Sequence, residues 1–222
     1  MTGHVHPAPA PSPEGARKAP AARLLVTLAL AGAGSGLLVV SVYRITLPAV
    51  ERYAGQRVEA AVREVLKAPV RWDTLYLVNG ALTGVAAAGT NPRELPRAYL
   101  GRDGAGKPLG AAITAQEPGF QEEVQLMVGF DPASGSLTGI KLLEQKETPG
   151  LGDKIEDSSF TGQFAGRVAP LRGVKGAAGS DPGSVQTITG ATISSRAVIR
   201  IVNHALERWR PLLQAYLQHA AQ

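Results

Sequence analysis

Cysteine is absent from the 222 residues. That excludes disulfides, thiolate zinc sites, iron–sulfur clusters and a cysteine nucleophile. Aromatic residues make up only 5% of the chain. No basic stripe interleaved with aromatics occurs, so nucleic-acid binding is set aside. Histidine is scarce as well: the four, at positions 4, 6, 204 and 219, have no metal-ligand spacing. Acidic residues are nearly missing from the first 48 positions, which hold Glu14 against Arg17, Lys18, Arg23 and Arg44. The remainder carries 19 basic against 17 acidic residues, so the overall charge of +5 reports mainly on the N-terminal segment. There is no internal repeat.

Long apolar runs are also absent, with one exception. From Leu24 to Val42 there are 19 residues without a charge. A helix of that length crosses a hydrocarbon core of roughly 30 Å. A cleaved signal peptide is the competing reading, but the run is long for one and no small-x-small cleavage site follows it before Arg44 and Ile45. Arg17, Lys18 and Arg23 precede the run, and Arg44 and Arg52 follow it. The positive-inside rule then places the N-terminus in the cytoplasm and the rest outside. Gly32 and Gly36 form a G-x-x-x-G pair within the run. It serves either helix packing in lipid or nothing beyond the usual abundance of small residues there.

The expected organisation is a disordered cytoplasmic tail at 1–22, rich in Pro and Ala, a transmembrane helix at 23–47, and a globular extracytoplasmic domain at 48–222. Within that domain, Pro48 to Lys67 has an amphipathic helical pattern that Pro69 ends. Asn79-Gly80 predicts a hairpin between strands at 72–78 and 82–87. Residues 91–119 read as loop, with a short strand at 111–115. Strands at 123–130 and 137–145 flank the turn at Asp131–Gly135 and pair as a second hairpin. Residues 173–183 read as loop. A helix is expected from Ser195, with Val198, Ile201, Val202, Leu206 and Trp209 on one face and an interruption at Pro211. The fold class is α+β: one N-terminal membrane helix, then a mostly antiparallel twisted sheet flanked by helices.

Two segments hold the chemistry. Glu147-Thr148-Pro149-Gly150-Leu151-Gly152 follows a strand directly. Pro149 fixes its own φ, and the glycines permit left-handed backbone or close approach. An ordinary rigid turn and a ligand-contacting loop both fit. Thr187-Ile188-Thr189-Gly190-Ala191-Thr192-Ile193-Ser194-Ser195 crowds hydroxyls at a helix start. Helix N-termini offer unpaired N–H donors and suit a phosphate. A plain cap by Ser194 or Ser195 is the competing reading.

Taken together, the two segments resemble the covalent-FMN domain of the G-type subunit of the Rnf complex. The C-type subunit of the sodium-pumping NADH:quinone reductase has the same pair of motifs. The resemblance covers the anchor and most of the chain from Thr46 to Trp209. It implies an FMN joined by a phosphoester to the last threonine of the Thr189-Gly190-Ala191-Thr192 run, that is, Thr192. A dedicated flavin transferase would install it. Glu147, Thr148, Leu151 and Gly152 would border the isoalloxazine, with Thr189, Gly190 and Ala191 around the attachment point. The family often has an acid three residues before the first hydroxyl, where this chain has Gln186.

The function so implied is a redox relay in a membrane-bound, ion-translocating ferredoxin:NAD oxidoreductase, working with its other subunits in a bacterial inner membrane. The chain alone would be a redox subunit and not a complete catalyst. The alternatives are the equivalent quinone-reductase subunit, or a non-redox membrane-anchored module that binds a free phosphate ligand. The topology is checked by fusing a reporter that works only in the periplasm to the C-terminus. It should be active, and a fusion active only in the cytoplasm would overturn the orientation.

Overall fold

The computed structural model describes residues 20–87, 89–92 and 95–220. The expected tail lies almost entirely outside them. The chain divides into two compact units, Met1–Arg52 and Tyr53–Gln222.

The first unit holds most of helix α1, which runs from Ala21 to Val65 with Pro48 inside it. Among the described residues it is the one helix long and apolar enough to cross a membrane. Its most apolar window has a mean hydropathy of 2.1, with none of that window buried in protein. Leu24, Leu28, Leu37, Val39 and Ile45 are all exposed.

In the second unit a six-stranded antiparallel sheet forms the centre: β1 (Arg71–Val78), β2 (Ala81–Thr83), β3 (Arg97–Arg102), β4 (Pro108–Pro118), β5 (Glu123–Phe130) and β6 (Leu137–Glu144). Their spatial order is β2-β1-β3-β4-β5-β6. The β1–β2 hairpin turns where expected. Asn79 (φ 52°) and Gly80 (φ 81°) both take the left-handed conformation that a two-residue hairpin turn needs. The β5–β6 hairpin is also as expected, with Val128 opposite Ile140.

The segment at 91–119 is not mainly loop. It contains β3 and the eleven-residue β4, paired with Ala98 opposite Ile113 and Leu100 opposite Ala111. Both strands are buried on both faces: Ala98, Leu100, Ala111 and Ile113 face one cluster, Tyr99 and Ala112 the other. Two buried faces erase the polar–apolar alternation that marks a half-exposed strand. Alanine and glycine, poor strand formers, complete the disguise.

Helix α3 (Thr192–Ala220) covers the first face. Val198, Ile201, Val202, Leu206, Trp209 and Leu213 pack onto Leu75, Leu100, Ile113, Leu126, Val128 and Phe130. Each such side chain removed from water contributes about 1.5–3 kcal/mol. That packing carries α3 through Pro211, against the expected interruption. Pro211 and Glu207, whose carbonyl loses its partner, are exposed, while Trp209 and Leu213 on either side of Pro211 are buried. Phe160, in the short helix α2 (Ser158–Thr161), and Phe164 close the same core edge to face. Strands β7 (Arg172–Val174) and β8 (Ser184–Gln186) form a small parallel pair that flanks the expected loop, β7 taking the first two residues of that loop.

The end of α1 covers the second face. Of its expected apolar face, Ala61, Val62 and Val65 are buried with Leu66 against Tyr99, Ala112, Met127 and Leu143, whereas Val50 and Tyr53 stay exposed. The helix stops in a Schellman turn. Ala68 N–H donates to Arg63 O at 2.7 Å and Lys67 N–H to Glu64 O at 3.2 Å, with both donor residues left-handed. Close approach of α1 to the sheet depends on Gly129. A Cβ there would lie 2.8 Å from Val65 O and 2.5 Å from Thr138 Oγ1. Gly129→Ala should therefore cost about 1–3 kcal/mol and lower Tm by several degrees. An unchanged thermal transition of the detergent-solubilised chain would contradict this packing.

Candidate functional site

The two sequence motifs meet in space. Helix α3 begins at Thr192, three residues before the expected Ser195. It is preceded by a turn at Ile188–Ala191, closed by Ala191 N–H donating to Ile188 O at 3.1 Å. Gly190 sits in that turn at φ 86°, where a side chain would be strained. Ser195 locks the turn. Its fully buried Oγ donates to Ala191 O at 2.8 Å and accepts from Ile188 N–H at 3.0 Å.

The hydroxyls of this segment sort into two groups. Thr187 Oγ1 donates to Val174 O at 3.1 Å. Ser194 Oγ donates to Glu147 Oε2 at 2.5 Å, and Ser195 is engaged as described. Neither serine caps the helix; both are buried inside it. Thr189 and Thr192 alone have no hydrogen-bond partner among the described residues. Thr189 is exposed in the turn, and Thr192 is half-buried at the first helical position. There the N–H groups of Thr192, Ile193 and Ser194 lie in the first turn, without intrahelical acceptors.

The residue before the helix is Ala191, which has no side-chain oxygen to cap these donors. They remain available to an outside anion. The partial positive charge of the helix end adds about 0.3–1 kcal/mol for such a group at an exposed site. This donor set and the two free hydroxyls fit a phosphate ester.

The loop of the first motif lies against this helix start. Thr148 O accepts from Leu151 N–H at 3.1 Å and Gly152 N–H at 2.9 Å, and Asp153 Oδ2 accepts from Gly150 N–H at 2.9 Å. Leu151 is half-exposed, and a Cβ on Gly190 would lie 3.3 Å from its Cδ2. Thr148 Oγ1 accepts from Gln121 Nε2 at 3.0 Å. Phe120 and Ile193, each 58% exposed, add apolar surface to these same segments.

Glu147, expected to border a ligand, instead turns inward and is only 4% exposed. Its Oε1 accepts from Phe120 N–H at 2.8 Å and Gln121 N–H at 3.2 Å, and its Oε2 accepts from Ser194. Sequence reasoning took Ser194 for a cap and missed Phe120 and Gln121, because the carboxylate that gathers them comes from a distant segment.

Gln186 keeps its backbone for structure: its N–H donates to Gln163 Oε1 at 2.8 Å, and its carbonyl accepts from Gln163 Nε2. Asp181, the nearest upstream acid, is occupied by Ser184 Oγ, Gly183 N–H and Arg172. The Ser184 hydroxyl and the Gly183 N–H, helped by Arg172 and Arg167, hold its carboxyl below the ordinary range against some desolvation. Asp181 therefore organises its own turn and does not replace the acid of the motif.

One further tie fixes α3. Glu117 at the end of β4 accepts from Arg200 Nε at 2.9 Å and pairs with His204 Nδ1 at 2.7 Å. Burial raises the Glu117 carboxyl, but hydrogen bonds from Arg200 and His204 outweigh it and hold the group below its ordinary value. Among the described residues, no cluster of three or more His, Asp or Glu could hold a metal.

The two glycines of the first motif should behave differently. A Cβ on Gly152 would lie 2.8 Å from Glu147 Cβ, 3.0 Å from Glu147 Oε2 and 3.1 Å from Ser194 Oγ. Gly150 has open space and only a positive φ, 75°. Gly152→Val should disrupt the Glu147–Ser194 contact and lower Tm by several degrees. Gly150→Val should cost only about 1–2 kcal/mol in backbone strain and leave that contact intact. Equal thermal transitions for Gly152→Val and wild type would contradict this packing.

Residues 119–207 match the FMN-binding domain family, a span that contains both motifs and the Gly119–Gln121 loop. The G-type subunit of the ion-translocating oxidoreductase complex of Yersinia pestis is 42% identical over 113 residues, covering 49% of this chain and 53% of that protein. The same subunit of Shewanella baltica is 32% identical over 173 residues, covering 76% of this chain and 80% of that protein. Its counterpart in the Na(+)-translocating ferredoxin:NAD(+) oxidoreductase complex of Acetobacterium woodii is 36% identical, covering 54% and 58%. The matched stretch thus spans little more than half of some of these relatives and four-fifths of others. Among solved structures, NqrC of Shewanella oneidensis shares the fold with a TM-score of 0.61 at 18% identity, covering 73% of this chain and 99% of that one. The C-type subunit of the Na(+)-translocating NADH-quinone reductase of Parabacteroides distasonis does so with a TM-score of 0.55 at 21% identity, covering 72% and 92%. With an FMN-binding domain and a G-type relative matched over four-fifths of its length, this chain belongs to the family of G-type subunits of ion-translocating oxidoreductase complexes.

Proposed function

We propose that the chain carries an FMN on Thr192 as a phosphoester and serves as an electron-transfer subunit of an ion-translocating ferredoxin:NAD oxidoreductase. The observation that carries the attachment site is the sorting of hydroxyls. Of the five between 187 and 195, Thr187, Ser194 and Ser195 are committed to protein partners. Thr192 is free and stands on the first turn of α3, beside three donors with no intrahelical acceptor. Thr189 is free but lies in the preceding turn.

Ester formation needs an activated phosphoryl group, because free FMN offers no adequate leaving group. A flavin nucleotide pyrophosphate such as FAD meets that need. Thr192 Oγ forms a bond to the flavin-side phosphorus, the pyrophosphate P–O bond breaks, the hydroxyl proton passes to the flavin transferase, and a nucleoside monophosphate leaves. The product is a phosphodiester monoanion, which the helix end accommodates without a counter-charged side chain.

When bound, FMN supplies reversible electron transfer, and the protein supplies place and orientation. Leu151, Ile193 and Phe120 offer exposed apolar surface for a ring system, with Thr148, Gly152, Gly190 and Ala191 forming the adjoining backbone. Helix α1 is the proposed anchor at 23–47, with the N-terminus cytoplasmic and residues 48–222 on the outer face of a bacterial inner membrane. There a covalent tether prevents loss of a cofactor that could not be replenished. The chain works together with the other subunits of the complex. The likeness to the quinone-reductase subunit is one of fold, whereas the relative matched in sequence over most of its length is a G-type subunit. A non-redox phosphate-binding module would leave no flavin fluorescence in a denaturing gel.

Protein co-expressed with a flavin transferase should gain the mass of one FMN residue that survives denaturation. Thr192→Ala should abolish the adduct, and Thr189→Ala should weaken it without moving it. Peptide mass spectrometry decides: an adduct on Thr189, Thr187 or a serine would refute the site.

A further inference from the structure

We infer that Glu147 is a positioning residue for flavin attachment: acting through Ser194 it fixes the first turn of α3, and it does not touch the flavin. The inference rests on attachment at Thr192 as proposed above.

A helix start is ordinarily held by its N-cap side chain, which accepts from the N–H of the second or third helical residue. Such a cap would consume donors that a phosphate needs. Here the cap position is Ala191, so the first-turn donors stay free and the turn lacks its usual anchor. Ser194, the third helical residue, provides the anchor from the side. Its hydroxyl donates to the buried Glu147 carboxylate. The other oxygen of that carboxylate is fixed by two backbone N–H groups, Phe120 and Gln121. That loop follows directly on Glu117–Pro118, to which Arg200 of α3 donates as well.

The slot for the carboxylate is built by two glycines from different segments. A Cβ on Gly119 would collide with Glu147 Oε1, and one on Gly152 would crowd Oε2 and Ser194 Oγ. A buried carboxylate with three donors is a rigid joint, since losing any partner strands charge away from water. Two residues along the helix from that joint stands Thr192. Aspartate, shorter by one methylene, cannot span from loop to helix. Glutamine can reproduce all three bonds, with Oε1 accepting both N–H groups and Nε2 donating to Ser194 Oγ.

The test uses full-length protein in detergent, a flavin transferase and FAD, following the adduct by intact mass at a temperature well below each variant's Tm. Ser194→Ala and Glu147→Ala should lower kcat of loading by roughly 10- to 100-fold with KM for FAD unchanged, because they misplace the acceptor hydroxyl and not the donor. Glu147→Gln should load within about threefold of wild type and show the wild-type visible absorbance, since all three bonds persist. If Glu147→Ala fails to fold, Ser194→Ala and Glu147→Gln still decide. Normal loading of Ser194→Ala overturns the inference alone. So does Glu147→Gln with lost loading or a shifted absorbance, which would mean that the charge or a flavin contact matters. An absent adduct on wild type removes the attachment reading and this inference together.

Discussion

A single buried carboxylate joins the parts of this domain that matter for its chemistry. Glu147 takes one hydroxyl from α3 and two N–H groups from the loop after β4, and it stands at the head of the Glu147–Gly152 segment. Three chain segments that are far apart in sequence therefore share one buried polar contact. An ion in that position is tolerable only because its donors are all supplied. The need to supply them dictates the rest. Glycine is required at 119 and 152 to make room, Ser194 must face inward, and the helix start must sit against the loop.

The scaffold makes that contact rigid. An antiparallel sheet covered by α3 on one side and the end of α1 on the other leaves its central strands no freedom to shift register. Helix α3 lies on this sheet over its whole apolar face and is held again by Arg200 and His204 on Glu117. Thr192 consequently stands at the end of a fixed rod, half-buried beside the first-turn donors. Residues 119–207 match an FMN-binding domain, and under the attachment proposed above Thr192 is the one of five neighbouring hydroxyls that is both unbonded and on the helix.

Much of this was readable from residue order where the determining physics is local. The Asn79-Gly80 turn, the β5–β6 hairpin, the apolar run and the two loop motifs are all set by neighbouring residues. What escaped depends on contacts distant in sequence. Strands β3 and β4 carry no alternation because both faces are covered. Pro211 does not break α3 because Trp209 and Leu213 are held in the core on either side of it. Ser194 and Ser195 resemble caps by composition. Their hydroxyls instead found tertiary and turn partners, moving the helix start back to Thr192. The motif glutamate resembles a ligand until its three internal donors are seen. No local signal announces them, since Phe120 and Ser194 are each remote from residue 147.

Phosphorus NMR of the loaded, native protein is the most direct test of a diester between Thr192 and the flavin phosphate at the helix end. A phosphodiester has no second ionisation, so its resonance should hold a constant shift from about pH 5 to pH 8 and disappear in Thr192→Ala. A phosphate monoester, as in FMN that is merely bound, ionises again near pH 6. A resonance that moves through that range would contradict the account.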